Sequence, residues 1–236
     1  MKENNKIKYG KRYTIFSELD NQPCADHDRA KGEGVAPQEY VGIKIQLIDF
    51  PESLAAWAEK KVYLVAATLR PETMYGQTNC FILPEGKYGL YEMKNDEFFV
   101  MSHRAAQNFA WQEMTKEDCK YPCLANVTGQ EIIGKRLKTP LTKYEFVYAL
   151  PMPTISMTKG TGIVTSVPSD SPDDYAMLYD LQTKKGLREK YNVEEEHCVP
   201  FEPIPIIEIP GMGNMAAKTC YEQLKITSHK DSDKLK

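Results

Sequence analysis

The chain has 236 residues, of which 42% are hydrophobic and 27% charged, a composition typical of a globular protein with a substantial core. No stretch reaches the ~18 consecutive apolar residues that a membrane span needs, and residues 1–6 are too polar for a signal peptide, so we expect a cytoplasmic protein with no membrane partner. The formal net charge of −3 argues against a protein that grips a nucleic-acid duplex along its backbone, because phosphate contacts require a positive excess.

The first part of the chain predicts mainly strands. Residues 12–16 and 40–48 are rich in β-forming side chains, and the polar, turn-rich segment 20–34 separates them. In the second run, apolar residues alternate with polar or small ones, which is the period of a half-buried strand. A short helix is expected at 53–61, followed by an apolar strand at 61–68.

Pro71 ends that strand, because proline has no amide hydrogen and disfavours helical geometry at the residue before it. The rest of the chain predicts four more strands and two longer helices. The strands are expected at 81–83, 98–101, 145–150 and 162–167. The helices are expected at 102–114, with Ser102 as the N-cap, and at 172–191.

The last part of the chain is extended and then polar. Residues 200–210 contain four prolines and cannot be helical, so they are expected to form an edge strand or an extended crossing segment. The tail 228–236 is expected to be frayed. Many short strands with few helices favour a mixed α/β (α+β) fold, in which a β-barrel-like sheet carries peripheral helices. We expect a single domain over 1–236, with its ordered core at about 10–227.

The six cysteines stand at irregular spacings and do not predict a metal site. Cys119 and Cys123 are the only close pair, and no second pair follows at the spacing of a zinc site. Cys24 and His27, or His197 and Cys198, could be imagined as ligands, but nothing completes either set. Reduced and mostly buried thiols are the expectation.

A cluster of hydroxyl groups follows the strand at 61–68. Residues 68–79 read Thr-Leu-Arg-Pro-Glu-Thr-Met-Tyr-Gly-Gln-Thr-Asn, which places Thr68, Thr73 and Arg70 at a strand end. Side chains and freed amides at such a place can fix a carbonyl, a sugar or a water molecule. The alternative is an ordinary turn whose threonines bond to their own backbone.

A second cluster lies at residues 160–175, Gly-Thr-Gly-Ile-Val-Thr-Ser-Val-Pro-Ser-Asp-Ser-Pro-Asp-Asp-Tyr. Its glycines allow a ligand close to the backbone. Ser171 can cap a helix that begins with proline, and Asp174 stands where a capping-box carboxylate would be. With Asp170 and Asp173 it would share one face near the positive helix end, where an anion is stabilised and can receive an ammonium group. The alternative is a capping box with no further role.

Neither cluster contains a histidine. The four histidines are His27, His103, His197 and His229. Hydrolase mechanisms built on a Ser–His or Cys–His pair therefore lack support. A Gly-rich phosphate-binding loop that ends in Lys-Ser or Lys-Thr is missing too, which argues against an NTPase.

Together, the two clusters resemble the signatures of the editing domains inserted in leucyl-, isoleucyl- and valyl-tRNA synthetases. Residues 68–79 look like their threonine-rich strip, and residues 160–174 look like their Gly-Thr-Gly strand leading to an aspartate. The run Ser-Asp-Ser-Pro-Asp-Asp at 169–174 and the proline-rich run at 200–211 look like the leucyl enzyme of the eukaryotic cytosolic type. The stretches 12–15, 26–29 and 32–40 fit the same family, so the resemblance covers nearly the whole chain.

The resemblance implies roles for individual residues. Asp174 would bind the α-ammonium group of the misattached amino acid, and Thr73 would crowd the side-chain pocket so that leucine is not cleaved. Thr68 and Arg70 would line the site near the ester and the terminal adenosine, with Cys80 on the nucleotide side. The remaining substrate-binding residues that it implies are Leu69, Thr161, Gly162, Ile163, Val164, Thr165, Val167, Asp170 and Ser171. Leu69 departs from the family pattern, because many relatives carry a second threonine there.

The implied activity is post-transfer editing, the hydrolytic deacylation of tRNA(Leu) mischarged with norvaline, isoleucine, methionine or a similar residue. The family's His-x-Gly-His and Lys-Met-Ser-Lys-Ser signatures do not occur, so no aminoacylation centre is expected, and no cofactor either; ATP and Mg belong to the parent enzyme. The implied partners are the aminoacylated 3′ end of tRNA(Leu), the rest of the synthetase chain, AMP or adenosine-type ligands and boron adducts of the terminal ribose. A monomer is expected. The alternatives are an isoleucyl or valyl editing domain and a catalytically silent module that binds the RNA end or acts as a scaffold.

Overall fold

The computed structural model describes residues 1–10, 14–17, 19–24 and 39–231. Two compact units are distinguished, Met1–Glu39 and Tyr40–Lys236. In the first unit, strand β1 (Phe16–Ser17) pairs with β2 (Gln22–Pro23) in antiparallel fashion. The predictions at 12–16 and 20–34 overlap the described residues only in part. His27 and the motif stretches at 26–29 and 32–38 lie outside them.

The second unit is built on one nine-stranded mixed sheet. Its strands are β3 (Val41–Leu47), β4 (Lys61–Thr68), β5 (Asn79–Ile82), β6 (Lys87–Glu92), β7 (Glu97–Met101), β8 (Ala125–Thr128), β9 (Arg136–Lys138), β10 (Val147–Pro151) and β11 (Ile163–Ser166). Their order across the sheet is β11-β5-β10-β9-β3-β4-β7-β6-β8. Strands β5 and β10 pair in parallel, as do β4 and β7, and the other neighbours are antiparallel.

Five α-helices accompany the sheet in the described ranges. They are α1 (His103–Trp111), α2 (Gly129–Ile132), α3 (Pro172–Thr183), α4 (Lys185–Tyr191) and α5 (Ala216–Gln223), and short 3-10 helices lie at Glu52–Trp57, Pro71–Gly76, Lys94–Asp96 and Glu195–His197. None of the helices in these ranges combines the length and apolar character needed to span a bilayer. A large mixed sheet with peripheral helices confirms the predicted mixed α/β class.

Strand β4 shows how the sheet is buried on both faces. It begins and ends where the sequence predicts. Val62, Leu64 and Ala66 contribute to the main core, whereas Val65 belongs to a second apolar cluster that includes residues of α1. Since side chains alternate along a strand, the sheet has an apolar layer on each side, and β4 is a fixed support for the loop that follows it.

Two predicted helices differ in detail from the structure, and the run at 200–210 follows one of its two predicted alternatives. The helix expected at 53–61 is a 3-10 helix at Glu52–Trp57. The helix expected at 172–191 is interrupted, because Lys184 has extended dihedral angles between α3 and α4. Residues 200–208 form no strand, although Phe201 is buried, so this run crosses the fold as an extended segment.

Two other predictions concern the helix at 102–114 and the tail at 228–236. The helix expected at 102–114 is α1, and the Ser102 hydroxyl accepts a hydrogen bond from the Ala105 N–H as its N-cap. In the tail, Ser228 and His229 hydrogen-bond to the buried carboxylate of Asp180 at 2.9 and 2.7 Å. Residues 232–236 lie beyond the described part of the chain.

Candidate functional site

The two predicted clusters meet at one edge of the sheet because of how β5 and β11 pair. These strands are antiparallel, with Asn79 opposite Ser166, so the start of β5 and the end of β11 lie side by side. Just beyond the paired residues, the Thr78 N–H donates to the Ser166 carbonyl at 3.2 Å. The loop at 69–78 therefore adjoins the segment that leads into α3.

Side chains also join the two segments. A Cβ atom added to Gly76 would lie 3.0 Å from Val167 and 3.3 Å from Ile206, so only glycine fits between them without a shift. At Gly160, an added Cβ would lie 3.8 Å from the Cβ of Ala67, near the end of β4. The threonine-rich loop thus adjoins the second cluster at Gly76, and the end of β4 lies near Gly160.

Thr73 belongs to a tightly bonded turn, the 3-10 helix Pro71–Gly76. Its hydroxyl donates to the Arg70 carbonyl at 2.7 Å, and the Arg70 N–H donates to the Thr68 hydroxyl at 3.1 Å. These are the bonds between side chain and backbone that are expected of an ordinary turn, yet each hydroxyl oxygen keeps acceptor capacity. Thr68 and Thr73 are half-buried, and Leu69 and Arg70 are exposed. The turn therefore presents two hydroxyls and one guanidinium group at the surface.

Asp174 lies in the first turn of α3 and is buried. Its carboxylate accepts a hydrogen bond from the Val167 N–H at 2.9 Å, and the Ser171 hydroxyl accepts from the Asp174 N–H at 3.5 Å. Ser171 and the proline at the first position match the prediction. The capping-box role of Asp174 does not, because its carboxylate is bonded to the strand end.

Burial raises the pKa of Asp174 from its usual 3.8 to about 7, and the hydrogen bond from Val167 and the contact with Ser171 offset this only in part. The expectation of a carboxylate stabilised as an anion by the helix end is therefore wrong, since desolvation outweighs the helix and hydrogen-bond contributions. A carboxyl group in this state is still a receptor for a cation, which would favour its ionised form.

The three carboxylates of the second cluster do not share a face. Asp173 is exposed, whereas Asp170 precedes the helix and is half-buried. The Ser169 hydroxyl donates to Oδ2 of Asp170 at 2.6 Å, and Oδ1 of Asp170 is buried without a partner among the described residues. Asp174 alone is packed against the end of β11.

Residues 160–167, which we call the glycine-rich wall, are held by residues that the sequence did not single out for the site. The carbonyl of Gly162, whose φ is +78°, accepts a hydrogen bond from the buried Tyr88 hydroxyl at 2.6 Å. The Thr161 carbonyl accepts from the Ser102 N–H at 2.9 Å, which joins the wall to the start of α1. Tyr88 stands 74 residues away and Ser102 59 residues away in sequence, so no local pattern could have revealed them.

The remaining wall residues divide between core and surface. Thr161, Ile163 and Val167 are buried, whereas Val164 is exposed and Thr165 half-buried. Cys80 is fully buried opposite Thr165, and burial raises the pKa of its thiol well above the usual value. The side chain of Cys80 lies inside the main core, and its place on the nucleotide side stays a prediction.

Two cavities of about 340 and 360 Å³ lie on α3 and beside α4, and neither is lined by Thr73 or Asp174. Among the described side chains, no three His, Cys, Asp or Glu residues converge as metal ligands would. The features that define the candidate site are the shared strand edge, the bonded threonine turn and the buried carboxyl group.

Known proteins resemble the chain in sequence and in structure. No family model matches the chain. The cytoplasmic leucine–tRNA ligases of Arabidopsis thaliana and Pongo abelii are 54% and 51% identical over 236 residues, which is 100% of this chain but only 22% and 20% of theirs. The chain therefore spans about a fifth of the length of these curated relatives.

Solved structures of single domains match it over most of their length. The crystal structure of GlLeuRS-CP1 is 38% identical, with a TM-score of 0.76 and 84% of each chain covered. The editing domain of the P. falciparum cytosolic leucyl-tRNA synthetase is 29% identical, with a TM-score of 0.73 and the same coverage.

Proposed function

The chain belongs to the family of leucyl-tRNA synthetase editing (CP1) domains, and on this premise we propose that it hydrolyses the ester bond of mischarged tRNA(Leu). The substrates would be tRNA(Leu) esters of norvaline, isoleucine, methionine and similar residues. The identities of 51–54% to leucine–tRNA ligases favour the leucyl over the isoleucyl or valyl type. Aminoacylation would belong to the rest of a synthetase chain, in the cytoplasm.

The small free-energy difference between binding leucine and binding its near-isosteres explains why such a domain is needed. One methylene group in an apolar pocket contributes only about 1–3 kcal/mol, so a synthetic site cannot reject near-isosteres of leucine well enough. A second site that hydrolyses the wrong esters and spares leucine corrects the errors. This second site must recognise three things: the ammonium group, the side chain and the terminal adenosine.

The observation that carries the proposal is the bond from Val167 to the Asp174 carboxylate, because the Val167 side chain lies against Gly76 of the threonine turn. A buried carboxyl group with few hydrogen-bond donors is a strong receptor for a cation that enters the same space. We assign it the α-ammonium group of the substrate. Thr73, on the adjoining turn, would fill the space that the γ-branched leucine side chain needs.

The nucleotide would lie between the end of β4 and strand β11. Strand β11 ends the sheet order, so one of its edges has no strand partner in the described ranges, and Gly160 brings this segment near β4. Free backbone groups at such an edge can bond an adenine ring, and Arg70 and Thr68 can contact the ribose or phosphate.

For the hydrolytic step we assign no protein base to the attacking water. Neither cluster contains a histidine, and an ionised Asp174 would be engaged by the ammonium group. Rate acceleration would come mainly from holding the ester and water in a reactive geometry, with a ribose hydroxyl of the substrate as the nearest proton acceptor.

The deciding experiment measures deacylation of isoleucyl-, norvalyl- and leucyl-tRNA(Leu). We expect hydrolysis of the first two and little of the third, and Asp174→Ala should abolish it. Unchanged turnover in Asp174→Ala would contradict the assigned role. If the domain stays inactive even within a full synthetase chain, the alternative of a silent module that binds the RNA end is favoured.

A boron compound that can bridge the terminal cis-diol offers a second test of the nucleotide position. If the 3′ adenosine is bound here, such a compound should inhibit deacylation more strongly after incubation with uncharged tRNA(Leu), whose terminal cis-diol is free to form the adduct. Equal inhibition with uncharged tRNA(Leu) whose terminal 2′-hydroxyl is replaced by hydrogen would exclude the adduct.

A further inference from the structure

Directly behind the candidate site lies a group of polar residues with no access to solvent. Gln77, Thr78 and Asn79 precede or begin β5, Ser166 ends β11, and all four are fully buried. We call them the strand-edge polar cluster. Buried polar groups are costly unless each finds a hydrogen-bond partner.

Some atoms of the cluster are paired within it. The Thr78 hydroxyl donates to Oδ1 of Asn79 at 2.9 Å, and Nε2 of Gln77 donates to the Asn79 carbonyl at 3.2 Å. The carbonyl of Gln77 accepts from the Thr142 hydroxyl at 2.6 Å. These bonds fix the side chains of Gln77 and Asn79 relative to the strand.

Three other atoms lack a hydrogen-bond partner among the described residues: Oε1 of Gln77, Nδ2 of Asn79 and Oγ of Ser166. Asn79 and Ser166 are directly opposed across the β5–β11 pair, which places their side chains next to each other on one face. The side-chain amide of Gln77 reaches the backbone carbonyl of Asn79, which keeps it beside the same residue of the strand. The three atoms offer one acceptor, one donor and one hydroxyl group, which can be either.

We propose that Gln77, Asn79 and Ser166 form a binding site for one ordered water molecule that fixes the strand edge carrying Val167. The water accepts from Nδ2 of Asn79 and donates to Oε1 of Gln77 and Oγ of Ser166. Three hydrogen bonds are the usual number for a buried water in a protein. Without this water, the three polar atoms would stay buried and unpaired, which is costly.

The site has a consequence for Asp174. Ser166 immediately precedes Val167, whose N–H is the donor to the Asp174 carboxylate. On the other strand, Gln77 directly follows the 3-10 helix that contains Thr73. One water bonded to both strands therefore holds the threonine turn and the Asp174 donor in register, and Ser166 is a positioning residue. This last step deepens the proposed function, whereas the water site itself does not depend on it.

The water site is tested on the wild-type chain, without tRNA. A crystal structure resolved well enough to place ordered solvent should show one water within hydrogen-bond distance of all three atoms. Its absence, or direct pairing of the three side chains with one another, overturns the proposal. Failure of the deacylation assay would leave this result untouched, so the two ideas fail separately.

The positioning role is tested by amide hydrogen exchange in Ser166→Ala. We expect the Val167 amide to exchange about tenfold faster, while the amide of Ile45 in the sheet centre keeps its wild-type rate, as for a local opening. Ser53→Ala, the same hydroxyl deletion outside both clusters, should change neither. Unchanged Val167 exchange in folded Ser166→Ala overturns the positioning role. If that variant does not fold, Gln77→Met is used instead, because it removes another hydrogen-bond partner of the water. Faster exchange of the Val167 amide then supports the positioning role, and unchanged exchange overturns it.

Discussion

The buried carboxylate of Asp174 accepts a hydrogen bond from the backbone N–H of Val167 over 2.9 Å. This bond links the first turn of α3 to the end of β11, seven residues earlier in the chain. A neutral N–H donor compensates only part of the loss of hydration, which is why the pKa of Asp174 lies near 7. The site therefore contains a group whose charge changes within the physiological range.

Asp174 should make folding stability fall as the pH rises. Its pKa is about 7 in the folded state and about 3.8 when unfolded, so the folded chain holds a proton that the unfolded chain releases. The stabilisation that protonated Asp174 gives to the folded chain is complete below about pH 4. It decreases by up to about 4 kcal/mol as the pH rises through 7. Asp174→Asn should not show this loss, and urea unfolding at pH 5 and pH 8 measures the difference.

The matched control for that experiment is Asp118→Asn. Asp118 is exposed and paired with Lys94 at 3.0 Å, so it should not change the pH dependence between 5 and 8. If the free energy of unfolding changes with pH to the same extent in the wild type and in Asp174→Asn, Asp174 has an ordinary pKa in the folded chain.

The same ionisation should appear in the pH dependence of deacylation. Binding of the α-ammonium group requires the ionised form of Asp174, so kcat/KM should rise as the pH approaches 7. It should fall again above about pH 8, where the α-amino group of the substrate loses its proton. The value of kcat should vary less, because kcat/KM reports the free domain and the bound ammonium lowers the pKa of Asp174. Rates must be corrected for spontaneous ester hydrolysis in buffer. A flat kcat/KM from pH 6 to 8 would exclude Asp174 as the ammonium receptor.

Local chemistry in the sequence predicts some of these elements well. The strand Lys61–Thr68 combines an apolar run with a following proline, and Ser102 is a strong N-cap before an amphipathic helix, so local preference and tertiary packing agree. The family motifs also brought Thr73 and Asp174 into one hypothesis. The structure places their segments side by side, through a strand pairing that spans about 90 residues.

Long-range contacts explain what the sequence could not predict. The Asp174 carboxylate is in capping-box position, yet it bonds to Val167 because β11 ends beside it. Lys184 interrupts the predicted helix at 172–191, and it also makes an ion pair with the buried Asp180 at 2.7 Å. Burial of Cys80 follows from the neighbours of β5 on both sides. Such effects depend on which strands become neighbours, which no local pattern contains.

Substitutions of Thr73 can separate its size from its hydrogen bond. Thr73→Ala shortens the side chain and should let leucyl-tRNA(Leu) be cleaved about 10–200-fold faster, the range expected for one or two methyl-sized groups. Thr73→Val keeps the size and loses the 2.7 Å bond to the Arg70 carbonyl, so it should still spare leucine. Both rates are measured on leucyl- and norvalyl-tRNA(Leu). Equal cleavage of leucyl-tRNA by both variants would show that the hydroxyl, and not the volume, provides the discrimination.

Tyr88 should be important for stability although it lies outside both motifs. Its hydroxyl donates to the Gly162 carbonyl at 2.6 Å and accepts from the Leu83 N–H at 3.1 Å. Tyr88→Phe leaves these backbone groups without that partner, at a cost of about 2–4 kcal/mol. Tm should fall by about 2–4 °C for each kcal/mol in a chain of this size. Tyr144→Phe, which loses one bond to the Glu202 carbonyl nearer the surface, should cost less; equal losses would contradict a special role for the Gly162 contact.

Adenosine monophosphate should stabilise the domain if the proposed nucleotide position is correct. A ligand that binds only the folded state raises its stability by RT ln(1 + [L]/Kd), about 2.7 kcal/mol at a hundredfold excess over Kd. Thermal unfolding with millimolar AMP should therefore show a higher Tm, whereas inorganic phosphate at the same concentration should not. Arg70→Ala should weaken the effect, because Arg70 is exposed beside the proposed ribose position. Asp174→Ala should keep it, because AMP has no amino acid for Asp174 to bind. Loss of the AMP effect in Asp174→Ala alone would mean that the nucleotide and the ammonium group do not occupy separate parts of the site.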